Sequence, residues 1–351
     1  MKAAVVHDAN QLVIEDIPMP VLNPYAALCK ILYGATCTAT DMHIISHTVI
    51  KTSYPTLLGH ESIGEVLECG RKVRHFKVGD RLTNVGVPPL PALDLHSFGG
   101  GFAEYGLAFD YEAMRIDGLS KEEILNLTTG PRQPSSLVPE DIPSVVAPLL
   151  ITWRETWSYL TRMGMKQGLR VLVIGSGGNG LSFICHARAL QAGLIVAVGS
   201  EHRRDLALAC GADEYQCYKD DSLIEHVRQA ATGYDLVVDA IGASSGMNPY
   251  LRLLAPDAVV GIYGIEGRQN MSLNPMAAAH SFRFYKDGYR EIEAHQPVIE
   301  NIRAGFLQAS HFYATERPYP LVNLQDAFDM LRRKEMPKAL IQMHDLCTDH
   351  I

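Results

Sequence analysis

The chain has 351 residues, 47% of them hydrophobic and 20% charged, which is enough for two cores and excludes a disordered or low-complexity protein. Its 31 Lys and Arg against 39 Asp and Glu give a formal charge of −8 with no long basic cluster, which argues against nucleic acid or an anionic membrane as a partner. Seven scattered cysteines with no Cys-x-x-Cys pair, no signal-like N-terminus and no run of about 18 apolar residues point to a cytoplasmic chain that spans no membrane.

Up to about residue 110 the chain reads as short strands and turns. Residues 2–6, 11–14, 27–33, 59–67 and 79–82 are extended, as in a small all-β barrel. Residues 119–127 predict a short helix, 130–136 a Gly- and Pro-rich loop, and 144–163 an apolar helix carrying Trp153 and Trp157. From 170 strands and helices alternate. Strands are expected at 170–174, 194–198, 214–218, 234–240 and 258–263, with helices at 178–191, 202–210, 221–231 and 244–254. That alternation predicts a parallel, doubly wound sheet. The tail holds two amphipathic helices, 287–304 and 323–333, and a last strand at 339–343.

Gly175-Ser176-Gly177-Gly178-Asn179-Gly180 has the form Gly-x-Gly-x-x-Gly between a strand and a helix. Gly175 allows the tight turn, Gly177 lets a pyrophosphate approach the backbone, and Gly180 lets the helix pack against the strand. The helix N-terminus, with Gly178 and Asn179, offers N–H groups and a positive dipole end to phosphates. The order strand, turn, helix makes this a dinucleotide site.

A carboxylate ending the second strand would bind a ribose 2′-OH and select NAD. Gly199 stands at that position. Ser200 offers a hydroxyl and Arg203 or Arg204 a cation for a 2′-phosphate, while Glu201 could turn in and bind the ribose instead. The reading favours NADP and keeps NAD as the alternative.

The run Gly59-His60-Glu61-Ser62-Ile63-Gly64-Glu65-Val66 resembles the Gly-His-Glu-x-x-Gly-x-Val signature of zinc-type medium-chain alcohol and polyol dehydrogenases. Gly99-Gly100-Gly101-Phe102-Ala103-Glu104-Tyr105, the Rossmann half and the tail around Lys338-Ala339-Leu340-Ile341 extend the resemblance over nearly the whole chain. Gly199-Ser200 with Tyr218 further resembles the NADP-dependent secondary-alcohol branch. The resemblance implies an α/β protein. A GroES-like β-barrel catalytic domain would span 1–147 and 286–351, and a doubly wound Rossmann domain 148–285. It also implies a small alcohol or carbonyl substrate and a homodimer or homotetramer.

The chain departs from the family in three places. The structural zinc lobe is absent, since residues 83–98 contain no Cys. The family's Cys-x-Ser/Thr-Asp-x-His aligns without gaps on Thr38-Ala39-Thr40-Asp41-Met42-His43, so Thr38 rather than Cys37 falls on the ligand position. Thr40 and His43 then fall on the alcohol-binding hydroxyl and the proton-relay histidine. Ala147 stands where polyol dehydrogenases carry a Glu. In an extended chain a slip of one residue would point Cys37 to the opposite face. Zinc is left open by this reading. Cys37, His60 and Glu61 hold it if a bulge restores the register, whereas Thr38, Thr40 or His60 would hydrogen-bond the carbonyl without it.

Two enzymatic readings follow. One is a dehydrogenase for a secondary alcohol or polyol and its ketone, and the other a zinc-free ene or quinone reductase. A third, non-catalytic NADP-binding reading leaves the spacing of Thr40 and His43 without a reason. His47, Tyr54, Trp153 and Trp157 could line a pocket, although a Trp pair four apart on a helix more often packs.

Overall fold

The computed structural model describes residues 1–130, 134–230, 233–244, 246–267 and 270–344. Pro131, Arg132 and Gln133 of the expected loop, Ala231 of the expected 221–231 helix and Ser245 lie outside them. The chain divides into two compact units, 1–151 with 312–351, and 152–311.

The first unit is built on β-sheets. Its strands are β1 (Lys2–Val6), β2 (Leu12–Asp16), β3 (Ala26–Ala35), β4 (Thr56–Leu57), β5 (Glu61–Cys69), β6 (Arg81–Thr83), β7 (His96–Ser97) and β8 (Tyr105–Phe109). Its helices before 149 are α1 (Thr38–Ser46), α2 (Tyr111–Ile116) and α3 (Lys121–Thr128). β3 is the organising strand. It pairs antiparallel with β5 and β8, and with a strand from the chain's tail. Alternate residues Ala27, Cys29 and Ile31 of β3 are fully buried, the period-two signature of a strand facing a core. They join Val5, Leu57, Val66, Phe102 and, from the tail, Phe328 and Ile341 in one cluster.

The helix α1 falls where the gapless reading assumed extended chain. Cys37 is its N-cap residue, and its backbone N–H donates to the Asp41 carboxylate at 2.9 Å while Asp41 N–H donates back to the Cys37 carbonyl. A carboxylate in the first turn suits the helix dipole and satisfies an otherwise orphaned donor. His47 closes the helix in the left-handed conformation.

The second unit begins inside α4 (Leu149–Arg162). The expected helix starts at 144, but 144–148 form turns. Then follow β9 (Arg170–Ile174), α5 (Gly178–Ala189), β10 (Leu194–Gly199), α6 (Arg204–Ala209), β11 (Glu214–Cys217), α7 (Leu223–Ala230), β12 (Tyr234–Asp239), β13 (Leu254–Ile262) and β14 (Phe282–Tyr285). All pair in parallel in the order β11-β10-β9-β12-β13-β14, the doubly wound arrangement. The expected helix at 244–254 is instead a 3-10 segment, Asn248–Leu253, running straight into β13. Pro249 at its start supplies no N–H. The edge strand β14 was not read from the sequence.

The sequence reading returns the chain to the first domain at 286. In the structure 286–311 belongs to the second unit. The reason is α8 (Glu291–Arg303), which buries Ala294, Val298 and Ile299 and whose Glu291 pairs with the fully buried Arg154 of α4 at 2.6 Å. The tail then adds β15 (Tyr319–Pro320), α9 (Leu324–Arg332) and β16 (Leu340–Gln342) to the first unit, with β16 on β3. Among the described residues no helix is long and apolar enough to cross a membrane.

Asp110, 1% exposed, caps α2 and ties it to the barrel. Burial alone would raise its pKa. The backbone N–H groups of Arg74, Ala113 and His75, at 2.8–3.0 Å, outweigh that and hold it below the usual carboxylate range. A carboxyl lowered in the folded state stabilises above its unfolded pKa and loses that contribution as pH falls. Asp110→Ala should therefore cost about 1–3 kcal/mol at neutral pH by urea unfolding. The deficit should shrink below about pH 4. A constant deficit across that range would contradict the ionised cap.

Candidate active site and dinucleotide site

In the first unit the β3–β5 ladder sets the site. Ala35 pairs with Glu61, so the chain leaving β3 passes beside the residues that open β5. Cys37 then starts α1. On a helix, residues three and four apart share a face. Cys37, Thr40 and Asp41 are therefore neighbours, with Cys37 Sγ 3.3 Å from Thr40 Oγ1. Asp41, fully buried, reaches His60 with its other oxygen, 3.5 Å from Nδ1. Cys37 Sγ, an imidazole nitrogen of His60 and a Glu61 carboxylate oxygen all lie within 4.8 Å of one another.

This corrects the gapless register. Thr38 does not replace the cysteine at the cluster. Its hydroxyl donates to the Pro337 carbonyl at 3.1 Å. The alternation argument presumed a strand, whereas a helix N-terminus turns consecutive residues by about 100° and brings Cys37 onto the face of Thr40 and Asp41. His43, three residues beyond Thr40 on α1, has Nδ1 2.7 Å from Thr48 Oγ1. Ala147 is fully buried and carries no donor atom.

Glu61 is 1% exposed and is met by Lys338, 2% exposed, whose Nζ donates to both carboxylate oxygens at 2.8 and 2.6 Å and to the Thr36 carbonyl at 2.9 Å. Burial alone would lower the Lys338 pKa, but the Glu61 carboxylate outweighs it and keeps the ammonium charged. For His60 burial acts downward, and the Asp41 carboxylate and Cys37 sulfur lift it well above the ordinary histidine value. Phe98 stacks edge-on against His60 at 5.8 Å. The sequence reading missed Asp41 and Lys338. Asp41 could have been found as an acid in a helix's first turn, but nothing in the sequence marks Lys338 as buried.

The dinucleotide residues lie in the second unit. Gly175 has φ +107°, which strains any L side chain. A Cβ at Gly180 would overlap the Gly175 carbonyl, so this glycine lets α5 pack against the turn. Gly177 is the N-cap of α5, and a Cβ there meets nothing within 4 Å. That open space lies beside the free N–H groups of Gly178 and Asn179 at the helix start.

Gly199 ends β10, and a Cβ there would overlap Ser176 Oγ and the Tyr215 hydroxyl. Those two groups are 2.8 Å apart, and Tyr215 also donates to the Ser200 carbonyl at 2.7 Å. Glu201 is held by Arg204 in a two-bond pair, 2.6 and 2.8 Å, and Arg204 also donates to the Tyr215 carbonyl. Arg203 is buried at 9% exposure, and Tyr218 is about half exposed with its N–H on the Gly199 carbonyl. Trp157 packs edge-on against His186, whose pKa burial pushes down to about 3, and Trp153 is fully buried.

Gly177→Val fills the open space without touching the core. NADPH and NADH binding, followed by fluorescence titration, should be lost, while the melting temperature stays within about 2 °C of wild type. Retained binding would contradict this placement of the pyrophosphate.

Comparison with known proteins bears on the whole chain. Residues 23–117 match the alcohol dehydrogenase GroES-like domain, and 178–299 the zinc-binding dehydrogenase domain. A probable cinnamyl alcohol dehydrogenase of Populus deltoides is 29% identical over 72% of this chain and 71% of its own. The sorbitol dehydrogenase of Bacillus subtilis (strain 168) is 25% identical over 94% and 93%. A solved structure from Sinorhizobium meliloti 1021, described as a zinc-binding dehydrogenase bound to NADP, superposes with a TM-score of 0.78 at 20% identity, covering 97% of this chain and 99% of that one. With a GroES-like unit and a Rossmann-type parallel sheet, the chain belongs to the medium-chain alcohol dehydrogenase family of NAD(P)-dependent enzymes.

Proposed function

We propose that this enzyme interconverts a secondary alcohol or polyol and its ketone, using NADP and a zinc ion held by Cys37, His60 and Glu61. The convergence of those three donors within 4.8 Å carries the reading. The donor set fits the metal. Thiolate, imidazole and carboxylate make three protein ligands with one position open, the pattern of a catalytic zinc site. Asp41 lies 3.5 Å from Nδ1 of His60, which leaves Nε2 as the ligand atom. Lys338 donates to both Glu61 oxygens and holds the carboxylate beside Cys37 and His60. Bound there, zinc would supply Lewis-acid polarisation of the substrate oxygen, and a nicotinamide would supply the hydride acceptor or donor.

The chain's own groups handle the proton. Thr40 Oγ1, beside Cys37 Sγ, is the hydroxyl that receives the alcohol proton, and His43 further along α1 passes it outward. Thr38 takes no part, because its hydroxyl is spent on Pro337. The ene-reductase reading drew on Thr38 and Ala147 in place of ligands, and the first of these two supports is lost.

NADP is favoured because β10 ends without a carboxylate and has no room for one. The nearest carboxylate, Glu201, is occupied by Arg204. Ser200 follows Gly199 directly, and Tyr218, about half exposed, has its N–H on the Gly199 carbonyl, which leaves a hydroxyl and a phenol for a 2′-phosphate. The described cysteines are free thiols, as a reducing cytoplasm would keep them.

Alcohol oxidation and zinc content, measured on wild type, Cys37→Ala and Thr38→Ala, test this directly. Cys37→Ala should lose one zinc equivalent and at least about 100-fold in kcat/KM, whereas Thr38→Ala keeps its zinc and most of its rate. Wild type should turn over faster with NADP⁺ than with NAD⁺ at equal concentration. Unchanged zinc and rate in Cys37→Ala would overturn the ligand set.

A further inference from the structure

The second unit holds another cluster, which the dinucleotide site does not use. Cys185 lies in α5, Cys210 directly follows α6, and His311 ends a single 3-10 turn at Ala309–His311. Donor atoms of all three lie within 4.8 Å of one another. Cys210 Sγ is 3.5 Å from His311 Nδ1. Cys185 is fully buried and Cys210 4% exposed, while His311 is only partly covered. Two sulfurs thus form an inner wall, and the imidazole sits on the side that solvent reaches.

We propose that Cys185, Cys210 and His311 form a second metal site that takes zinc, with three protein ligands and water in the fourth position. Two thiolates and an imidazole are a soft donor set, suited to zinc and ill suited to magnesium or calcium. Zinc bonds of about 2.3 Å to sulfur and 2.0–2.1 Å to nitrogen place tetrahedral donors about 3.6–3.8 Å apart. The Cys210–His311 separation of 3.5 Å is already close to that spacing. Two thiolates balance the ion's charge, which removes the penalty of burying it. The three ligands come from separate elements, with His311 101 residues beyond Cys210. A bound ion therefore clips the segment after α8 onto α5 and α6, and its binding energy adds to folding energy. The site is independent of the Cys37 cluster, which lies in the other unit. Either can fail without the other.

The test uses the full chain carrying Cys37→Ala, stripped of metal and titrated with zinc against a chelating indicator under reducing conditions. One equivalent should bind tightly and raise the melting temperature. Adding His311→Gln, at a partly covered position that tolerates it, should weaken binding at least about tenfold. Adding Cys185→Ala should abolish binding. Cobalt(II) in place of zinc should give a thiolate charge-transfer band in the Cys37→Ala protein that vanishes with Cys185→Ala. Absence of zinc uptake by the Cys37→Ala chain, or uptake unaltered by His311→Gln, would overturn the proposal. So would a Cys185–Cys210 disulfide found by peptide mapping of protein never exposed to oxidant.

Discussion

A lysine and a glutamate paired out of reach of water hold the candidate site of the first unit together. Lys338 sits just before β16, Glu61 opens β5, and the Thr36 carbonyl that Lys338 also binds lies between β3 and α1. One ammonium therefore joins three chain segments that meet only in the folded state. Burying such a pair is costly in itself, but removing one partner is worse, typically about 3–5 kcal/mol, because the other charge is stranded. The pair buys position more than stability. It sets where the chain leaves β3, and so where α1 begins and which residues face His60.

The start of α1 decides the chemistry. Read as a linear register, Thr38 aligns with the family's cysteine and Cys37 misses by one. That inference assumed that neighbouring residues point to opposite faces, which holds for strands only. Helical geometry places Cys37 with Thr40 and Asp41, and Asp41 accepts from the Cys37 N–H while its other oxygen lies 3.5 Å from His60. The information was present in Asp41, a first-turn acid, but α1 is short and carries little amphipathic pattern. Lys338 was not legible at all, since burial of a lysine depends on where β16 returns.

The dinucleotide site was more legible, because its glycines answer to local constraints. Gly180 must let a helix touch a turn, and the space beside Gly177 is open, whatever the rest of the fold does. At Gly199 the sequence shows a missing carboxylate, and the packing shows why no side chain fits there. The Ser176–Tyr215 pair fills the space that a side chain there would need. Long-range packing also explains the misplaced boundary at 286. The ion pair between Glu291 of α8 and Arg154 of α4 is invisible to local pattern and keeps 286–311 in the second unit. The 3-10 segment at Asn248–Leu253 and the edge strand β14 likewise follow from sheet completion rather than periodicity.

The proposed zinc site depends on the helix N-terminus turning Cys37, not Thr38, toward His60. Anomalous diffraction at the zinc edge, on crystals of the full chain grown with zinc, tests it most directly. The account predicts a peak about 2.3 Å from Cys37 Sγ and about 2.0–2.1 Å from His60 Nε2. A structure in which Thr38 faces His60, or in which zinc-soaked crystals show no anomalous peak at Cys37, would contradict it.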